Sequence, residues 1–183
     1  MADERLLTDS GAAFDELLVT LVQAGDRRAA EHLARRWQPR LLRTARRVLG
    51  AELAPGAVQE CWVSIFRAIG GLRNPARFAP WAFGILRRRC VDAMRRQSTA
   101  RHRYGGEPGD TTATTAMPDE ALAIAGAMAA LPPDQRLAAQ LFFVEGLTLA
   151  EIAEVQQVPE GTAKSRLFHA RRRLKAALSG DDQ

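Results

Sequence analysis

A chain of 183 residues, 46% hydrophobic and 26% charged, is long enough for one or two small packed units and too apolar for general disorder. Its net charge of +5 is modest, so where the 26 basic side chains fall matters more than their excess over 21 acidic ones. No run approaches the roughly 20 apolar residues of a membrane span. Residues 1–10 are polar and acidic without an apolar signal segment. Membrane insertion is therefore not expected, and a soluble cytoplasmic protein is.

Strand signals are nearly absent, and Ala, Leu, Arg and Glu dominate, so the expected fold class is all-α. The first helix is predicted over 14–24, with Phe14, Leu17, Leu18, Leu21 and Val22 at helical spacing, and Gly25 ends it. Asp26 caps a second segment that reaches Leu49, with Leu33, Trp37, Leu41, Leu42, Ala45 and Val48 inward and a kink at Pro39. Gly50 stops that segment, and Pro55 opens a third helix running to Ile69. After Gly70, Gly71 and a loop through Asn74 and Pro75, a fourth helix begins near Pro80 and continues to about Gln97. Its candidate buried face is Trp81, Ile85, Val91 and Met94.

From 98 to 116 the apolar periodicity gives way to Gly105, Gly106, Pro108, Gly109 and a Thr/Ala run, which reads as a flexible linker. Two small helical domains result, over 12–97 and 117–178. The second holds a helix to about Ala130, another from Asp134 to Glu145, a short one from Thr148 to Gln156, and a last one from Pro159 to about Leu178.

The stretch from Thr148 to Lys175 has the pattern of a helix-turn-helix. Thr148 and Glu151 form a T-x-x-E capping box, Leu149, Ile152 and Ala153 a short apolar stripe, and Pro159 stands at a first helical turn. Ala163, Leu167, Ala170 and Leu174 would face inward. The opposite face carries Lys164, Ser165, Arg166, His169, Arg171, Arg172, Arg173 and Lys175. A helix fits the DNA major groove, its first half meeting base edges and flanking cations meeting phosphates. All basic residues but Lys164 and Lys175 are Arg, which suits forked contact with phosphate and guanine and equally a GC-rich coding genome.

Cys61 and Cys90 belong to no CxxC or Cys/His cluster. They read as core residues in a reducing compartment, and no metal is expected. His32, His102 and His169 are scattered, and the sequence has no glycine-rich phosphate loop or nucleophile–base pair. The protein is not expected to be an enzyme or to hold a cofactor.

Three segments together, LPPDQR (131–136), EGLTLAEIA (145–153) and PEGTAKSRLFHARRRL (159–174), closely resemble region 4 of the extracytoplasmic-function (ECF) sigma factors. The resemblance implies that this unit reads the upstream (−35) promoter element, with Lys164, Ser165, Arg166, Phe168 and His169 facing bases. His169 stands where many members carry Arg. The stretch from Phe14 to Arg96 resembles region 2 of the same family. VQECW (58–62) looks like the helix that grips core RNA polymerase, so Gln59, Glu60, Trp62 and Phe66 are implied contacts; Trp62 and Phe66, four apart, fit a buried pair equally well. FAPWAFGILRRR (78–89) resembles the segment that recognises and melts the downstream (−10) element.

Arg87, Arg88, Arg89, Arg95 and Arg96 would line a single-strand groove, and the loop with Arg73, Asn74 and Arg77 would hold a flipped base. Trp81 reads more readily as buried than as a stacking platform. Family members usually carry acidic residues where this chain has Pro55 and Gly56, and Asn where Arg88 stands. The implied partners are core RNA polymerase, promoter DNA and a possible anti-sigma factor, with the free protein monomeric. The region 4 resemblance runs to the chain's end, so no appended C-terminal regulatory domain is expected. Two other readings stay open on the sequence alone: a free-standing helix-turn-helix regulator, and a sigma-like decoy that binds polymerase without initiating.

Overall fold

The computed structural model describes residues 2–104 and 119–179, and within these the side chains of 11–100 and 123–177. Every regular element among them is helical. Helix α1 spans Ala2–Gln23, and Leu18 and Val19 are its buried anchors, whereas Phe14, Leu17 and Leu21 stay exposed. Gly25 turns the chain at φ 90°, where a side chain would be strained. Asp26 then caps α2 (Arg27–Ala68), its carboxylate accepting from the amides of Arg28 at 2.7 Å and Ala29 at 3.1 Å.

The stop expected at Gly50 is where the helix breaks, and the interruption expected at Pro39 does not occur. The helix passes through Pro39 and Pro55 and leaves helical dihedrals at Gly50 (φ 81°, ψ 176°), which divides it into 27–49 and 51–68. A proline removes one hydrogen bond and can be accommodated by a bend, whereas the positive φ at Gly50 ends the helical path outright. Two 3₁₀ turns follow, Ile69–Gly71 and Pro75–Arg77. The Gln23 side-chain amide donates to the Ile69 and Leu72 carbonyls, both at 2.8 Å, tying the first turn to α1.

Helix α3 (Phe78–Tyr104) crosses both halves of α2 and runs beyond Gln97, so the first residues of the linker expected over 98–116 are helical through Tyr104; residues 105–116 lie outside the described residues. Its buried face is Phe78, Ala82, Phe83, Ile85, Leu86 and Cys90. Of the residues expected there, Ile85 is buried, Trp81 and Val91 are half-buried, and Met94 is exposed. The buried stripe is set by where α2 and α6 pack on α3, which the periodicity of α3 alone does not fix. Trp37 is at the centre, edge-on to Phe78 (4.9 Å, 85°) and tilted against Phe83 (5.8 Å, 60°).

The second group consists of α4 (Asp119–Ala129), α5 (Pro133–Ala139), α6 (Leu149–Gln156) and α7 (Glu160–Ser179). Helix α5 widens into a π turn over Gln140–Val144, and Gly146 (φ 73°) reverses the chain toward α6. The two groups share one apolar core. Leu137, Leu141, Leu147, Ile152 and Val155 belong to the same buried cluster as Leu33, Trp37, Leu41 and Phe83.

Cys61 and Cys90 are both buried, and burial pushes each thiol up from 9.0 to about 12. A group raised in this way stabilises the fold fully below pH 9. That contribution is lost as pH climbs from 9 toward 12, because the unfolded chain alone ionises. A disulfide-type thiol reagent at pH 8 is therefore expected to leave both cysteines unmodified in the native protein and to modify both in denaturant. Rapid native reaction of either would contradict their placement.

Candidate nucleic-acid and polymerase interface

Helix α6 is built to hold α7 outward. Thr148 and Glu151 make the full capping box: the Thr148 hydroxyl accepts from the Glu151 amide at 3.3 Å, and the Glu151 carboxylate accepts from the Thr148 amide at 2.9 Å. Gln157 takes the left-handed conformation (φ 55°, ψ 48°) to end α6, and Pro159 leads into α7. Ala163, Leu167 and Ala170 are buried and Leu174 is half-buried, as the four–three–four spacing predicts.

That packing leaves Lys164, Ser165, Phe168, His169, Arg171, Arg172, Arg173 and Lys175 exposed, with Phe168 60% accessible. Ser165 donates to the Gly161 carbonyl at 3.0 Å. Arg166 is placed differently from its neighbours. Its guanidinium donates to Gln156 Oε1 at 2.9 Å and to Asp134 Oδ2 at 2.6 Å, tying α7 to α5 and α6.

The cations of the first group do not form one uniform track. Arg73, Arg88 and Arg95 are exposed, and Arg87 is half-buried beside Asp134 and Leu137 in the seam between α3 and α5. Asn74 uses its side-chain oxygen to accept from the Ala76 amide at 3.1 Å, which shapes the loop. Arg77 pairs with Glu151 at 3.6 Å and with Glu154, both on α6. Arg89 donates to the Ser64 hydroxyl at 2.9 and 3.1 Å and pairs with Asp92 at 3.4 Å. Arg96 pairs with Glu60 at 2.8 Å. That hydrogen bond holds the Glu60 carboxyl below its usual range.

On the outer face of α2, Trp62 and Phe66 stack at 5.3 Å and 22°, beside exposed Val63 and Gln59. Trp62 is half-buried and donates through Nε1 to Gln38 at 2.6 Å; Phe66 is 41% exposed. The pair is divided between the two readings: Trp62 packs against the core cluster while Phe66 stands at the surface. Val63 escaped sequence reasoning because a lone valine carries no distinguishing signal. Arg40, Arg43 and Thr44 were missed too. Their partner is Glu145, more than 100 residues away in the sequence.

Two family models match the chain, Sigma-70 region 2 over residues 33–100 and Sigma-70 region 4 over residues 121–174. The ECF RNA polymerase sigma factor SigM of Mycobacterium tuberculosis is 34% identical, the alignment covering 89% of this chain and 83% of the relative. The chain belongs to the ECF sigma factors. RNA polymerase sigma-H factor of Pseudomonas aeruginosa is 31% identical over 90% of this chain and 93% of its own. In fold, the sigma factor resembles RpoE of Bartonella quintana, solved in complex with the anti-sigma factor NepR. The TM-score is 0.73 at 22% identity, covering 81% of this chain and 96% of that one. The chain is thus a sigma factor that binds core RNA polymerase and directs promoter-specific initiation. No helix among the described residues is long and apolar enough to cross a membrane.

Proposed function

We propose the following division of labour within this sigma factor. Residues 12–97 engage core polymerase and act on the downstream (−10) element, 98–116 join the two units, beginning with the last turns of α3, and 117–178 read the upstream (−35) element. The observation that carries the reading is the cationic outward face of α7, held away from the core by a capped α6. Lys164, Ser165, Phe168 and His169, in the first half of the helix, face base edges. Arg171, Arg172, Arg173 and Lys175 meet phosphates. Arg166 holds the unit together through Asp134 and Gln156.

Arg73, Arg88 and Arg95 supply the exposed charge for opened DNA, with Arg87, Arg89 and Arg96 along the same helix and Asn74 and Arg77 shaping the loop. Gln59, Trp62 and Phe66 contact polymerase, and Glu60 orients Arg96. The chain supplies recognition and no reaction of its own, and it works in the cytoplasm. An anti-sigma factor is a fitting partner, since a fold relative was solved with one.

The test is transcription by core polymerase on a pool of promoter fragments. Discrete starts that require the protein support the reading; polymerase binding without starts points to a decoy. Within the upstream reader, Arg171→Ala is expected to weaken binding evenly across sequences and lower the salt slope by about 0.9. His169→Ala is expected to change sequence preference at one position, by roughly 1–3 kcal/mol of discrimination. Holoenzyme titrations on matched and mismatched promoters at several salt concentrations measure both.

A further inference from the structure

Promoter reading leaves unused a concave apolar surface of the second group of helices. Ile124 and Met128 of α4, Phe143 and Val144 of the π turn and Leu174 of α7 line a groove of about 510 Å³. That volume lies within the roughly 300–1,000 Å³ of small-molecule sites. Ile124, Phe143 and Val144 are each at least 40% exposed. Large apolar side chains clustered in this way mark a binding surface, whereas scattered ones do not. The π turn over Gln140–Val144 presents two of them, and such turns are rare and concentrate at functional sites.

The polar groups around the groove define what can fill it. Arg171 and Lys175, four apart on α7, bring like charges to one side of it, and Arg47 of α2 adds a third cation. No carboxylate lines the groove, and none of the three cations has an ion-pair partner among the described residues. Arg47 also stands near Arg136, whose guanidinium is held below its usual pKa by burial and by that neighbouring charge. Positive charge is thus in excess at an otherwise apolar surface, which suits an anionic head on an apolar body. Gln140 adds a further requirement. It lines the groove, is 1% exposed and commits its Nε2 to Glu145 at 3.4 Å, while its buried Oε1 accepts from no group among the described residues. A buried acceptor without a donor is costly, and a ligand hydroxyl satisfies it.

We propose that this groove binds an anionic amphiphile, a hydroxylated acyl chain whose carboxylate is held by Arg171 and Lys175 and whose hydroxyl donates to Gln140 Oε1. The chain lies over Ile124, Phe143 and Val144. Arg171 and Lys175 are the side chains assigned above to DNA phosphates, so the bound carboxylate competes with the promoter for them. That consequence rests on the division of labour proposed above; the binding itself does not.

β-Hydroxydodecanoate, kept below its micelle concentration, is titrated calorimetrically into the free full-length protein, beside dodecanoate and dodecanol. Saturable binding is expected. Dodecanoate should bind roughly fivefold more weakly for want of the hydroxyl. Dodecanol should bind at least about tenfold more weakly for want of the charge. Phe143→Glu and Ile124→Glu should each weaken β-hydroxydodecanoate by at least about tenfold with helix content unchanged, since each sets a carboxylate against the acyl chain. The two variants stand on different elements, and the three-ligand comparison on the parent needs neither. In methyl spectra of the parent, Ile124, Met128 and Val144 should shift, while buried Ile65 and Ile85 of the first group should not. Equal affinity for acid and alcohol, undiminished affinity in the folded variants, or shifts confined to other methyls overturn the site. Equal affinity for the two acids overturns the role of Gln140. Self-association that Phe143→Glu abolishes, without uptake of either acid, gives the groove to a second copy and also overturns the proposal. Binding of a promoter duplex to the free protein at low salt should weaken about tenfold in saturating β-hydroxydodecanoate, and unchanged duplex binding overturns the competition. Transcription with core polymerase answers the separate question: absence of starts would remove the division of labour while leaving the titration intact.

Discussion

Trp37→Ala is expected to remove about 3–5 kcal/mol of stability, measured as a drop in the urea midpoint followed by circular dichroism. Trp37 is 1% exposed and touches both aromatic anchors of α3, Phe78 and Phe83. Removing it takes away the largest side chain at the crossing of α2 and α3 and leaves a cavity that two backbones cannot close. A domain of this size has on the order of 5–15 kcal/mol in total, so the variant should lie close to its unfolding threshold. The loss reaches the seam as well. The Arg40 guanidinium stacks 4.0 Å above the Trp37 ring while it binds Glu145, so the indole positions one donor to that buried carboxylate. A midpoint shift under about 1 kcal/mol would mean that the core is held elsewhere.

Periodicity and punctuation were enough to predict the helical class, the Asp26 cap, the Thr148–Glu151 box and the inner face of α7. Each depends on residues within four positions of one another. The failures lie where the deciding contact is distant or conformational. Gly50 was legible as a stop, but Pro39 looked like a second interruption and is not one, because a φ of 81° is decisive and a missing amide is not. The α3 stripe was displaced because which side is buried depends on where α2 crosses. Arg166 sits among exposed cations in sequence, and only the fold brings Asp134 to it. Glu145 appeared only as part of a family motif. Its burial depends on Arg40 and Arg43, whose proximity no local pattern encodes.

Phe66→Ala is expected to weaken binding to core polymerase about 30-fold, near 2 kcal/mol, while shifting the unfolding free energy by no more than about 1 kcal/mol. The asymmetry follows from its position. Phe66 is 41% exposed and stacks on Trp62, which is fixed by its bond to Gln38 and packs on the core, so Phe66 extends outward from a rigid aromatic base. Aromatic side chains held in one rotamer lose little entropy on docking, which is why such pairs dominate interface energetics. Exposed Val63 widens the same apolar patch. Isothermal titration of the variant into core polymerase, beside its thermal melt, separates the possibilities. Equal affinity would move the contact off this face, and a melt lowered in proportion to affinity would make Phe66 a core residue.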